Sequence, residues 1–273
     1  MSDWLLAITV ALLGWWLSTG VILYLNHLPR HTHRWSMLAA TAVLVFCFLE
    51  VPSTSEDSSR GGAIVAFMQA ILIWGWLEMS YLMGFITGPR SAPCPPDATG
   101  ARRFWLAVQT SLWHELAVVA ATALLVALTW GAPNQVAAWS CMALWLMRWS
   151  AKLNLFLGVL NYNEEWLPDH LRYLTTYTRR RAMNMLFPVS VVVGTSAATA
   201  LAHSGLIGTE EGVRTGHMLV GTLVALAVLE HWFLVLPLRD STLWQWALPA
   251  ADRNRKREEN CEKSGCEATA AGL

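Results

Sequence analysis

The sequence predicts an all-α polytopic membrane bundle of about seven transmembrane helices, with the N-terminus periplasmic and the C-terminus cytoplasmic. Three observations carry this. The 273 residues are 55% hydrophobic and only 14% charged, whereas soluble domains carry about 25% charged residues. Apolar runs long enough to cross a bilayer recur along the chain. Lys and Arg fall in every second connection between those runs.

The runs occupy 4–25, 35–51, 62–88, 104–130, 135–160, 182–203 and 216–238. About 20 residues at 1.5 Å per residue cross roughly 30 Å of hydrocarbon, and the second run is the shortest. The first run reads as a retained helix and not as a cleaved signal, because MSDW has no positive n-region and the apolar stretch is too long. Pro188 predicts a kink in the sixth run. Residues 1–250 form the predicted bundle, and the polar stretch 251–273 reads as a disordered cytoplasmic tail.

Fifteen of the nineteen basic residues lie in 26–34, 89–103, 161–181 and after the seventh run; Arg60 and Arg214 alone fall in the alternate connections. The positive-inside rule places the first set in the cytoplasm. The predicted setting is a membrane, the lipid bilayer is an obligate partner, and zero net charge leaves no basic excess for nucleic acid. The five cysteines (Cys47, Cys94, Cys141, Cys261 and Cys266) show no metal spacing and read as structural or incidental thiols.

The remaining two cations, Arg148 and Lys152, lie inside the fifth run. With them the hydrocarbon layer would hold Glu78, His114, Glu115, Asn154, Glu230 and His231, all in its middle and cytoplasmic half when depth is counted from the run ends. Trp113-His114-Glu115 and Glu230-His231-Trp232 are one triplet reversed on two antiparallel spans, which stacks them in the same vertical order. Arg148 and Lys152 share a helix face, and Asn154 lies about 200° around from Lys152. That predicts a central fifth span. Each unpaired charge at the bilayer centre costs about 2.5–3.5 kcal/mol, so the groups are expected to converge and neutralise one another. Four readings stay open for such a cluster: a helix-locking network, a ligand or pigment pocket, a metal-dependent active site, and an ion or proton path.

The metal reading takes His114, Glu115, Glu230 and His231 as candidate ligands for iron or zinc. Against it, adjacent helical residues point about 100° apart, and the Glu-x-x-His pairs of di-iron bundles are missing. A His would also serve as an axial ligand to a porphyrin-type metal. His27, His31 and His33 read as a solvated interface loop, and 163–178 as an interfacial helix begun near Pro168, or as a protein-docking segment. Trp244 and Trp246 read as belt anchors.

The segments WWLSTG (15–20), WGWLEMSYLMGFITGPR with the following PCP (74–95), HEL (114–116), RWSAKLNLFLGV (148–159), MNMLFPVSV (183–191) and LEHWFLVLPL (229–238) together resemble the PuhE family of purple bacteria. The resemblance runs from the first span to the seventh and omits the tail. It implies an inner-membrane protein encoded beside reaction-centre genes and needed for full assembly of photosynthetic pigment–protein complexes. Expected partners are reaction-centre or light-harvesting subunits and other assembly factors. A bacteriochlorophyll-type pigment or precursor is the expected ligand, and a metal-dependent enzyme acting on a pigment, carotenoid or quinone precursor is the alternative. The family carries no established catalytic residue, so no site role transfers.

Overall fold

Runs of Leu, Val, Ile, Ala and Trp uninterrupted by turn residues become helices here. The computed structural model describes residues 3–161, 167–236, 243, 244 and 246. Among them the chain forms α1 (Asp3–Asn26), α2 (Arg30–Glu56), α3 (Arg60–Leu82), α4 (Gly100–Gln109), α5 (Leu112–Leu128), α6 (Val136–Leu157), α7 (Leu186–Ile207) and α8 (Glu211–Phe233). A 3-10 segment, Asp169–Tyr177, lies between α6 and α7 and begins just after Pro168. The described residues contain no strand, only an isolated bridge between Val159 and Arg180. The tail 251–273, Trp166 and the tail cysteines lie outside the described residues.

Five helices (α1, α2, α3, α7 and α8) are long and apolar enough to cross a membrane, and α4 with α5 makes a sixth if the bent pair is one span. α6 is as long as these, at 22 residues, but Arg148, Lys152 and three tryptophans lower its hydropathy. The short second run is the longest helix, 27 residues, because Arg30–Arg34 and Pro52–Glu56 extend it at both ends.

The run 104–130 is not one helix. α4 and α5 meet at 65° around Thr110 and Ser111. The loop after α3 causes the break: Gly88 lies against the backbone at Gln109–Ser111, and the Thr87 carbonyl accepts the His114 N–H at 2.9 Å, where α5 lacks an internal partner. α3 also stops earlier than the run 62–88, at Leu82, and Gly84 turns the chain at φ +82°. Pro188 is the third residue of α7, in a turn whose N–H groups have no intrahelical acceptor, so it starts the helix and does not interrupt its middle. Asn184 caps that start: its Oδ1 accepts from the Leu186 and Phe187 N–H groups, and its Nδ2 donates to the Asn154 and Gly158 carbonyls of α6.

The connections gather alternately at two ends. At one end the α5–α6 turn grips the α2–α3 turn, with Asn134 Nδ2 donating to the Thr54 and Asp57 carbonyls at 3.1 Å each. Arg60 pairs there with Glu211 at 3.4 Å, and Gly212 lies against the Ser58 backbone. At the other end Arg90 donates to the Tyr177 hydroxyl at 2.6 Å, Arg103 donates to the Tyr177 carbonyl, and Leu160 N–H reaches the Leu234 carbonyl. His170 lies at this second end too, held below its usual range by burial and by Arg30 and His33 at the start of α2. The rods therefore run up and down.

The most buried spans are α3 and α8, and α6 packs against both. In the most apolar stretch of each helix, 61% of α3 and 56% of α8 is buried, against 22%, 17% and 11% for α1, α2 and α7. α3 brings Gly62, Ala63, Ala66 and Ala70 to its contacts, and α8 brings Gly212, Gly216 and Gly221. Small residues let helix backbones approach without a hydrophobic driving force. Gly212→Ala is expected to lower stability by about 1–3 kcal/mol, because the new methyl meets a carbonyl that cannot rotate away. A thermal melt in detergent checks this; an unchanged midpoint would contradict it.

Candidate functional site: a polar cluster between the helices

The cluster is built on α6. Arg148 and Lys152, one turn apart, reach toward α3 and α5. Arg148 Nη2 lies 2.9 Å from Glu78 Oε2 of α3. Lys152 Nζ donates to Glu115 Oε1 of α5, and Trp149 Nε1 donates to Glu115 Oε2 at 2.6 Å. Both Glu115 oxygens are thus engaged. Tyr81, one turn beyond Glu78 on α3, fills the middle: its ring centroid is 5.5 Å from Lys152 Nζ and 4.8 Å from the His114 ring centroid.

The opposite face of α6 carries uncharged groups. His231 Nδ1 lies 2.8 Å from the Ala227 carbonyl, and Nε2 lies 2.8 Å from the Ser150 hydroxyl. A carbonyl only accepts, so Nδ1 carries a proton, and Nε2 is engaged by the Ser150 hydroxyl, which also bonds the Ser190 hydroxyl at 2.9 Å. Asn154 donates from Nδ2 to the Ser190 hydroxyl of α7 at 3.0 Å and to the Ser150 carbonyl at 2.9 Å. Glu230, about 100° around α8 from His231, faces α1, where Trp15 Nε1 donates to its Oε1 at 2.7 Å. It remains close enough to Arg148 to act on it electrostatically.

The eight residues read from sequence therefore occupy three places. Glu78, His114, Glu115, Arg148 and Lys152 meet between α3, α5 and α6; His231 meets Ser150 of α6, and Asn154 meets α7; Glu230 sits at the α1 rim. Tyr81, Trp149, Ser150, Ser190 and Trp15 complete these networks and were not singled out by the sequence reading. The signal for Tyr81 was its spacing of three from Glu78; Trp15 and Trp149 were masked by the expectation that Trp marks interfaces.

Among the described residues no group of three or more His, Cys, Asp and Glu is placed to hold a metal ion. The four candidate ligands face different partners: His114 faces Tyr81, Glu115 faces Lys152 and Trp149, Glu230 faces Trp15, and His231 spends both ring nitrogens on Ala227 and Ser150. Neither does the His27–His33 tract gather: His27 binds the Leu23 carbonyl, and His33, buried within α2, binds that of Leu28. The contacts present pair two cations with two carboxylates and tie α6 to α3 and α5. Glu78 Oε1, Arg148 Nε, His114 Nδ1 and Asn154 Oδ1 remain buried without a hydrogen-bond partner among the described residues.

These features define a membrane-type helical bundle fastened internally by two ion pairs. The chain belongs to the family described as protein of unknown function (DUF3623), which it matches over residues 1–255. It is 40% identical over 255 residues to the "uncharacterized 30.4 kDa protein in puhA 5′ region" of Rhodobacter capsulatus, covering 92% of this chain and 93% of that one. No solved structure matches it.

Proposed function

We propose that the protein is a multi-pass inner-membrane assembly factor for bacterial photosynthetic pigment–protein complexes, as its resemblance to the PuhE family implies. The carrying observation is the end-to-end similarity to a relative named for the region 5′ of puhA. Its partners are reaction-centre or light-harvesting subunits, together with other assembly factors. The helices α1, α2, α3, α4–α5, α6, α7 and α8 make seven crossings, with the basic end in the cytoplasm.

The distribution of polar groups supports an interaction role. Charges are paired inside while α1, α2 and α7 turn broad apolar faces outward, with Trp35, Phe46, Val192 and Val193 each more than 60% exposed. Such faces pack against lipid or against transmembrane helices of a partner by shape and not by charge.

Deleting the gene in a phototrophic host tests this. Reaction-centre and light-harvesting absorbance should fall while the membrane's other complexes stay at normal levels. Normal photosynthetic complexes at normal pigment content would refute the proposal. So would accumulation of one discrete pigment precursor relieved by feeding its product, which would mark a biosynthetic enzyme.

A further inference from the structure

α7 packs along α8 but touches α6 only sparsely, and this leaves a cleft between the three helices. Its volume is about 910 Å³, within the roughly 300–1,000 Å³ of small-molecule sites. It lies on the face of α6 away from the ion pairs. From Gln135 to Ser150 it follows α6 for about 22 Å at 1.5 Å per residue, well over half the roughly 30 Å thickness of hydrocarbon. The outer lip is made by exposed Trp139, Leu146 and Val193, so the cleft opens sideways.

Polar groups are distributed unevenly along it. The body is apolar, and the lining contains no Asp, Glu, Lys or Arg. At the deep end the Ser150 and Ser190 hydroxyls already bond each other, His231 Nε2, Asn154 Nδ2 and the Leu186 carbonyl, so both are engaged within the protein. The mouth is different. Ser58, Asn134 and Gln135 border it, and His217 stands in the wall about 8 Å further in, five residues past Gly212 on α8. His217 Nδ1 is buried and finds no hydrogen-bond partner among the described residues, and such a group costs stability unless something satisfies it.

We infer that the α6–α7–α8 cleft binds a membrane-borne amphiphile with one long apolar chain and an uncharged hydrogen-bonding head, the head at His217 and the chain lying along α6 toward Ser150. The lateral opening lets such a molecule enter from the bilayer without leaving hydrocarbon. A charged head is disfavoured because the lining holds no Asp, Glu, Lys or Arg to neutralise it. Two sources share this chemistry, isoprenoid alcohols or quinones and straight-chain lipids. The inference stands on the cleft and does not depend on the photosynthetic reading.

Full-length protein in detergent would be titrated with tritiated geranylgeraniol and tritiated stearyl alcohol, using phytane as an unlabelled competitor without a head group. Saturable binding of at least one alcohol, near one per chain, is expected. Preference for geranylgeraniol assigns the isoprenoid source, and equal binding or preference for stearyl alcohol assigns the straight-chain one. Ala197→Trp places bulk in the cleft from an exposed position on α7 and should weaken binding at least tenfold with helical content unchanged. His217→Phe should weaken the alcohol about five- to tenfold yet leave competition by phytane unaltered. Absence of saturable binding by either alcohol overturns the inference, as does binding indifferent to Ala197→Trp. Capture of a protein helix by a photo-crosslinker at position 197, in place of the alcohols, also overturns it.

Discussion

Glu78→Leu should lower the stability of the bundle by about 3–5 kcal/mol, the range for removing one partner of a buried ion pair. The reason is what stays behind. Arg148 keeps its charge, loses its 2.9 Å partner, and already has a buried Nε without an acceptor. The Arg148 side chain is 37% uncovered by protein; with α6 crossing the bilayer, as proposed, the uncovered part would meet hydrocarbon and water would not screen it. Glu78→Leu with Arg148→Leu should recover most of the loss, since the cost lies in the unpaired charge more than in the missing attraction. Membrane yield and the detergent melting midpoint measure both. A double variant as unstable as the single would show that the pair itself, or another Arg148 contact, supplies the stability.

Lys152→Met has the second largest expected effect, about 3 kcal/mol or more. Glu115 would be left with one donor, Trp149 Nε1, for a carboxylate whose side chain is only 13% exposed. The cation over Tyr81 is lost as well, a smaller contribution of about 0.5–2 kcal/mol. Glu115→Gln in the Lys152→Met background should restore much of the yield. Arg148 and Lys152 are four residues apart on one face, so the two pairs share a field and their losses should not add. Strict additivity in the combined single variants would mean that the pairs act independently.

The helices were legible because bilayer crossing leaves a pattern that needs no tertiary information: length, apolarity and loop charge. Each of the seven runs contains a helix or, at 104–130, two. The break at Thr110–Ser111 was not legible, because its cause is the Thr87–Gly88 loop pressing from another part of the chain. The rarity of charge inside an apolar run was enough to single out the polar residues. Their partners were harder to read. Glu230 and His231 are neighbours in sequence, yet the helical turn sends one to α1 and the other to α6. The cleft left no trace in the pattern, since it arises from α7 leaning on α8 and standing away from α6.

Everything said about the ion pairs depends on α6 crossing the membrane with Arg148 and Lys152 between its ends, although its hydropathy falls below that of the other spans. Single cysteines at Ala132 and Arg181, introduced into a chain whose five native cysteines are replaced, bracket α6. A membrane-impermeant maleimide on intact spheroplasts, with the periplasmic face exposed, should label Ala132→Cys at once and Arg181→Cys only after lysis. Labelling of both positions from the same side would contradict the crossing, and with it the placement of the cluster inside the bilayer.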